Sequence, residues 1–336
     1  MTNNICTVLL VSYNHAPYIR KAIESVLAQK TKYNFIINIF DDCSTDGTSE
    51  IIKEYANQYP DKITVFIPDK NQGAQTNIWN AYKSVKTKYC ALLECDDYWC
   101  DENKLEMQIT ALEKHPECSF CAHNTTIINL GENLRKTEHL QNIVVDKHFN
   151  KNLIVSLEDI DDIDYGYMNH VNSRLIRTSV YNLDEIKLKE AFLYDNCQFY
   201  YLLNKGDMYY INKVMSVYIE TGKGVFSGGS IRKRFKIHLD ALIDLNKETN
   251  EELTDLVYKD MSNLLNYYRG IIKLLKHKDK VLKENNKFNI INKLQTIKRY
   301  FIPRFILDIL DIPFDFIKFI SRRLRNKQEE TNNEIL

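Results

Sequence analysis

The sequence predicts an α/β fold: a mainly parallel sheet with flanking helices, followed by a C-terminal helical extension. Three observations carry this. Apolar runs such as CTVLLVS (Cys6–Ser12) are too continuous for strands with one wet face, and read as strands buried on both. Between these runs, apolar residues recur at helical spacing. The two patterns alternate from residue 6 to residue 128, a rhythm that gives parallel strands joined by right-handed crossovers.

The elements follow in order. Cys6–Asn14 is the first strand and its polar end. Pro17 suits a first helical turn, after which Ile19, Ala22, Ile23, Val26 and Leu27 share one face. Phe35–Phe40 is a second strand, followed by a polar turn and a helix with Ile51, Ile52 and Tyr55 inward. KITVFIP and NIWNAYKSV supply the third strand and helix, YCALLE and ENKLEMQITALEKHP the fourth, and CSFCAHNTTII a fifth strand.

Three of these strands end in polar clusters: Ser12-Tyr13-Asn14, Asp41-Asp42, and Glu94 with Asp96-Asp97. Sheets of this kind bind ligands at the carboxyl ends of their strands, so the three clusters point to one site. Glu94, Asp96 and Asp97 repel one another unless a cation, a donor or water offsets their charge. A solvated turn is the plainer reading, and a divalent metal with a phosphate behind it is the sharper one.

The chain has 336 residues, room for one large domain with appendages or two smaller ones. Lys plus Arg and Asp plus Glu number 45 each, which leaves no global basic footprint for nucleic acid. The eight cysteines form no framework. Cys43, Cys90, Cys95, Cys118 and Cys121 lie in or beside expected strands and read as small buried hydrophobes in a reducing compartment. Cys118 and Cys121 make one C-x-x-C near His123, but a zinc or redox site lacks a second ligand pair. No basic segment precedes the short N-terminal apolar run, and no run reaches the ~18 residues of a membrane span. The expected location is cytoplasmic.

Taken together, VSYNHAPYIRKAIESVLAQ, FDDCSTDGT and LLECDDYW resemble family 2 glycosyltransferases, which are inverting, nucleotide-sugar-dependent enzymes of the Rossmann-like GT-A fold. Order and spacing match across residues 5–125, and weaker resemblance continues to about residue 230. Bacterial members build cell-surface polysaccharides, lipooligosaccharides or glycan decorations. The resemblance implies a catalytic domain over 1–230, with 1–125 on the nucleotide-sugar side and 126–230 on the acceptor side. A helical region over 231–328 and a disordered tail over 329–336 would follow.

The resemblance also implies roles. Asp42 matches the acid that hydrogen-bonds the base of the donor; a turn-forming Asp is the alternative, for which Asp46 is the better candidate. Ser12, Tyr13 and Asn14 would line the nucleotide, although Tyr13 suits ordinary packing equally well. ECDDYW stands in place of the family's D-x-D motif. Asp97 is the first choice for ligating Mn²⁺ or Mg²⁺, Asp96 for ribose or metal, and Glu94 for the donor sugar or the surroundings of the metal. In KNQGAQTN, Gly73 allows close backbone approach, and Asn71 or Asn77 would bond the donor, unless the stretch is only a polar loop opening a helix.

Inverting transfer needs a general base for the acceptor hydroxyl, and a carboxylate ionised at pH 7 suits it. In the family this acid opens an aromatic-rich helix, and Asp195 stands ahead of Phe199, Tyr200, Leu202 and Leu203. A plain N-cap is the alternative, and the two roles coexist because a helix N-terminus stabilises the ionised form. KGDMYYINKVMSVY is expected to form a turn and hairpin. Relatives often carry Arg and His where Ile219 and Thr221 stand here, so no diphosphate-binding Arg or His metal ligand is assigned. Gly222–Ser230 is expected as a flexible loop over the diphosphate, with Lys223 as an available cation. Asp159, Asp161, Asp162 and Asp164 read as a solvated acidic loop beside the acceptor cleft. His170 faces either acceptor or core, and Arg174 and Arg177 read as structural.

Beyond Arg232 the pattern is helical. Residues 297–327 interleave aromatic and aliphatic residues with Lys and Arg, which suits peripheral contact with an anionic membrane, here the inner face of the cytoplasmic membrane. Packing on the catalytic domain or on a second subunit, giving a homodimer, is the alternative. The expected partners are a nucleotide-sugar donor and a saccharide or lipid-linked glycan acceptor. Two other functions compete: a sugar-1-phosphate nucleotidyltransferase, whose Gly-rich phosphate loop VSYNHAPY lacks, and a non-catalytic glycan-binding scaffold.

Overall fold

Strand β1 (Cys6–Ser12) is buried along its whole length and pairs in parallel with β2 (Phe35–Asp41) on one side and β4 (Tyr89–Glu94) on the other. β3 (Ile63–Phe66) adds in parallel to the outer side of β2. This computed structural model describes residues 4–129, 137–139, 153–157, 159, 170–181, 183, 195–220, 240–246, 249 and 253. The chain divides into two compact units, Met1–Gly229 with Asp244–Leu253 and Ser230–Ile243 with Thr254–Leu336, and the sheet lies in the first. Lys223, Asp161, Asp162, Asp164, the Gly222–Ser230 loop and the stretches 297–327 and 329–336 lie outside the described residues.

Helices α1 (Ile19–Leu27), α2 (Thr48–Gln58), α3 (Ala74–Lys83) and α4 (Lys104–Lys114) occupy the crossovers, as the periodicity predicts. α1 buries Ile19, Ala22, Ile23 and Val26, the face read from the sequence. These residues join Leu10, Ile37, Ile52, Leu93 and Ile109 in one core. Each fully buried aliphatic side chain contributes roughly 1.5–3 kcal/mol, so this core fixes the strand ends above it.

Past β4 the sheet becomes mixed. β9 (Leu175–Arg177) inserts antiparallel between β4 and β6 (Cys118–Asn129), so the expected fifth strand is not the neighbour of the fourth. β6 then runs parallel to β10 (Asp207–Glu220), and β5 (Tyr98–Trp99) closes the far edge antiparallel to β10. β7 (Thr137–His139) and β8 (Leu153–Val155) pair antiparallel with β6 and β10.

The expected turn and hairpin over KGDMYYINKVMSVY is instead a turn followed by one long strand, β10. Asn212 and Lys213, the polar pair that would have turned the chain, fall where the register against β6 shifts between Ile211 and Val214. A bulge absorbs them. Met208, Tyr210, Ile211, Met215 and Val217 are buried on either side, so the strand gains more by continuing than by folding back. The register against β10 shifts between Cys118 and Phe120, and Cys118 and Cys121 are both buried in the same core cluster. All eight cysteines are free thiols. Among the described residues, no helix is long and apolar enough to cross a membrane.

Candidate functional site

The register delivers the three polar clusters to one edge. Ser12 pairs with Asp41 and Val11 with Glu94; beyond the strands, Asp42 N–H donates to Ser12 O at 2.9 Å and Cys95 N–H to Val11 O at 3.0 Å. Much of the polarity at this edge is engaged in holding loops. Asp42 is buried, and its two carboxylate oxygens accept the backbone N–H groups of Gln72 (2.7 Å) and Gly73 (2.8 Å). Gly73 presents its N–H from a backbone with φ of 88°, a conformation that favours glycine. The Asn71 side chain bonds Asp42 O at 3.2 Å and accepts from Gly73 N, and the buried Asn77 amide donates to Phe40 O at 3.0 Å.

Asn14 and Cys43 both take positive φ, and Asn14 ties the β1–α1 turn to the β2–α2 turn through Ser44 Oγ (2.8 Å) and Thr45 N (2.8 Å). Asp46 accepts from Ala16 N (3.0 Å) and Thr48 N (3.1 Å), the turn-forming role expected of it. Two of the residues expected to line a ligand have no side-chain hydrogen bond at this end among the described residues. Tyr13 is 45% exposed, and the buried Ser12 Oγ has no hydrogen-bond partner.

Glu94, Asp96 and Asp97 form the described cluster of metal-ligating groups, with one carboxylate oxygen from each within 4.8 Å of the others. Asp97 is buried and held from both sides: Oδ1 accepts from Ile219 N (2.8 Å) and Oδ2 from Asn172 Nδ2 (3.0 Å). The β5–β10 pairing places that N–H, because Val217 lies opposite Tyr98 and the strand continues past Asp97. Burial, then the charges of Asp96 and Glu94, hold the Asp97 carboxyl well above the usual range, while the two donors work against this. Burial, then Asp96 and Asp195, push Glu94 up to about 8. Three acids so crowded favour a bound cation, and an all-oxygen set suits hard Mg²⁺ or Mn²⁺.

Residues from the later part of the sheet also reach this cluster. Asp195 opens helix α5 (Asp195–Leu203), is exposed, and lies near enough to Glu94 to raise its pKa. Arg174 fixes that helix start from within the core: it is 1% exposed and donates to Gln198 Oε1 at 2.6 Å and Asp195 O at 2.9 Å. Arg177 donates to Cys118 O (3.2 Å) and Leu112 O (2.8 Å), so both arginines carry structure, as read from the sequence. Asn172 was not foreseen. Fully buried, it bonds Asp97, accepts from Ser216 Oγ at 2.9 Å, and offers its carbonyl to Trp99 Nε1 at 3.2 Å. The only sequence signal for it is a polar island, NHVNSR, just ahead of an apolar strand.

The sequence model of glycosyl transferase family 2 matches residues 7–176, just over half of the chain. The chain belongs to glycosyl transferase family 2. Among curated relatives, an uncharacterised Mycobacterium tuberculosis protein is 38% identical over 122 residues, covering 36% of this chain and 35% of its own. A Bacillus subtilis protein named as a teichuronic acid biosynthesis glycosyltransferase, TuaG, is 35% identical over 122 residues, covering 36% of this chain and 47% of its own. The chain thus spans less than half the length of these family 2 relatives.

Solved structures share the GT-A fold at low identity. S. aureus TarS (1–349) in complex with UDP matches with TM-score 0.57 and 16% identity, over 87% of this chain and 78% of that one. The Pyrobaculum calidifontis mannosyltransferase PcManGT, in complex with GDP-Man and Mn²⁺, matches with TM-score 0.51 and 12% identity, over 91% and 87%. In this family 2 chain, the carboxylates of Glu94 and Asp96 meet no protein donor among the described residues, and those of Asp97 retain unused lone pairs. These are the residues that would hold a metal.

Proposed function

We propose that the protein is a metal-dependent, inverting glycosyltransferase that moves a sugar from a nucleotide-diphosphate sugar to a saccharide or lipid-linked glycan acceptor. One observation carries the reading. Asp195, about 100 residues along the chain from the Glu94–Asp96–Asp97 cluster, lies near enough to Glu94 to raise its pKa, and its carboxylate meets no protein donor among the described residues. A free carboxylate close to a cation-binding acid cluster is what base-assisted displacement from a diphosphate needs.

In this reading Asp195 takes the proton from the acceptor hydroxyl as that oxygen attacks the anomeric carbon. The bond from that carbon to the phosphate oxygen breaks, and the diphosphate leaves with its electron pair. Asp96 and Asp97 would hold Mn²⁺ or Mg²⁺, which when bound would supply positive charge to offset that of the leaving diphosphate. Ser12 and Tyr13 line the nucleotide, while Asp42, Asn14, Asn71 and Asn77 shape the loops around it. UDP and GDP sugars are the first donors to consider, because the TarS and PcManGT structures hold UDP and GDP-Man. A bacterial surface glycan is the acceptor class suggested by the TuaG name. Action on the cytoplasmic side, with peripheral membrane contact or dimerisation through residues 297–327, belongs to the same proposal.

The test is a donor screen with purified protein, Mn²⁺ or Mg²⁺, and UDP-, GDP- and dTDP-sugars, read by thermal stabilisation and slow donor hydrolysis. One donor should stabilise the protein only with metal. Failure of every nucleotide sugar to bind, with or without metal, would contradict the reading and favour the scaffold.

A further inference from the structure

The His170 ring is fixed at both faces of its function. It packs against Tyr218 with ring centroids 4.4 Å apart, and its Nδ1 accepts the N–H of Asn172 at 3.4 Å. An Nδ1 that accepts leaves the ring proton on Nε2, the far nitrogen. Burial lowers the imidazole below its ordinary value, which keeps this tautomer neutral. Nε2 meets no protein partner among the described residues. His170 therefore holds out one oriented, unused N–H.

Its surroundings say what that N–H meets. The segment that carries His170 joins the two acids: Asn172 Nδ2 bonds Asp97 and Arg174 bonds Asp195 O. Tyr218, on which the ring packs, precedes Ile219, whose N–H bonds Asp97. A carboxylate oxygen of Glu94 lies within 4.8 Å of those of Asp96 and Asp97. Both side chains thus lie where the proposed base and the proposed metal site approach each other. In an inverting displacement the acceptor oxygen, the anomeric carbon and the leaving oxygen lie in line, so the transferred sugar occupies that space. A sugar hydroxyl both donates and accepts. Among the described residues Glu94 carries an acceptor without a partner and His170 a donor without one, the complement that a neutral polyol requires.

We propose that His170 is a donor-sugar contact and a specificity-determining residue: its Nε2–H bonds one hydroxyl of the transferred sugar, while the Glu94 carboxylate accepts from another. This rests on the transferase reading above and adds to it the group that recognises the sugar. A site built to bond a hydroxyl discriminates sharply against a sugar that lacks or inverts it, because the protein group is then left unpaired.

Titration calorimetry with Mn²⁺ tests this with UDP, GDP, UDP-GlcNAc, UDP-Glc, UDP-Gal and GDP-Man on wild type, His170→Asn and His170→Gln. Asn retains an acceptor near the Nδ1 position but removes the far N–H, whereas Gln restores a donor near Nε2. The expected result is about a tenfold loss of affinity for the preferred sugar nucleotide in His170→Asn. The bare diphosphate should bind within about twofold of wild type, and His170→Gln should recover most of the loss. Monodeoxy forms of the preferred donor probe the same contact without relying on the variant fold. One deoxy position should weaken binding to wild type about tenfold and make no difference in His170→Asn.

Equal losses for diphosphate and sugar nucleotide would assign His170 a structural role and overturn the proposal. So would unchanged affinity for both, or a wild type that binds sugar nucleotides no tighter than diphosphates. If wild type binds no nucleotide at all, the transferase reading itself fails and this one with it.

Discussion

Two regions of this sheet edge use their polar residues in opposite ways. In the turns that follow β2 and β3 the acids and amides are engaged with backbone: Asp42 with Gln72 and Gly73, Asp46 with Ala16 and Thr48, Asn77 with Phe40. Along β9-β6-β10-β5 and the segments entering it, Asn172 and Ile219 fix Asp97, and Arg174 fixes the start of α5. Among the described residues, Glu94 at the end of β4, Asp96, Asp195 and the far nitrogen of His170 meet no protein partner. An acid at a strand end is therefore not yet a ligand. What separates scaffold from site is whether its oxygens are already taken.

Four substitutions sharpen or break that contrast. Asp97→Ala has the largest expected effect, since it removes a proposed ligand and frees the donors of Asn172 and Ile219. Metal-dependent nucleotide binding by calorimetry should weaken on the order of 100-fold. Asp42→Ala comes next and tests the scaffold side. It strands two N–H groups that a carboxylate now accepts, so chemical denaturation should report a stability loss of about 2–3 kcal/mol. An unchanged stability with lost nucleotide affinity would instead make Asp42 a direct base contact.

Asn172→Ala should weaken metal-dependent nucleotide binding about tenfold and leave binding without metal unaltered, because its amide orients Asp97 rather than touching the ligand. The fourth effect is on pH dependence and concerns Lys104, fully buried, bonded to Gln108 Oε1 at 2.6 Å and lying 4.1 Å from the Trp99 ring centroid. Burial lowers its ammonium from 10.5 to about 7. Between those values the unfolded chain binds a proton that the folded chain does not, so stability rises with pH from about 7 toward 10. The slope from this group is at most ~1.4 kcal/mol per pH unit. Lys104→Met should remove it, which denaturation at pH 7, 8 and 9 would check.

The same contrast explains what the sequence could say. Continuous apolar runs and the α1 face are local patterns, and the structure follows them through β4 and α4. The convergence of Ser12, Asp41 and Glu94 was legible because parallel register puts strand ends side by side. The β9 insertion and the single long β10 were not, since both depend on partners distant in sequence: β9 on β4 and β6, and the bulge at Asn212-Lys213 on β6. Asn172 and the Ile219 N–H escaped for a related reason. One acts through a backbone group carrying no side-chain signal, and the other is one amide among several in a polar island.

The central claim is that Asp195 is the base serving a donor held at Asp96 and Asp97. With the donor found by the screen, Asp195→Asn should be compared with wild type for nucleotide-sugar affinity with Mn²⁺ and for sugar transfer. The account predicts affinity within about twofold of wild type and transfer reduced roughly 10²–10⁴-fold. Transfer at the wild-type rate by a fully folded Asp195→Asn protein would contradict it.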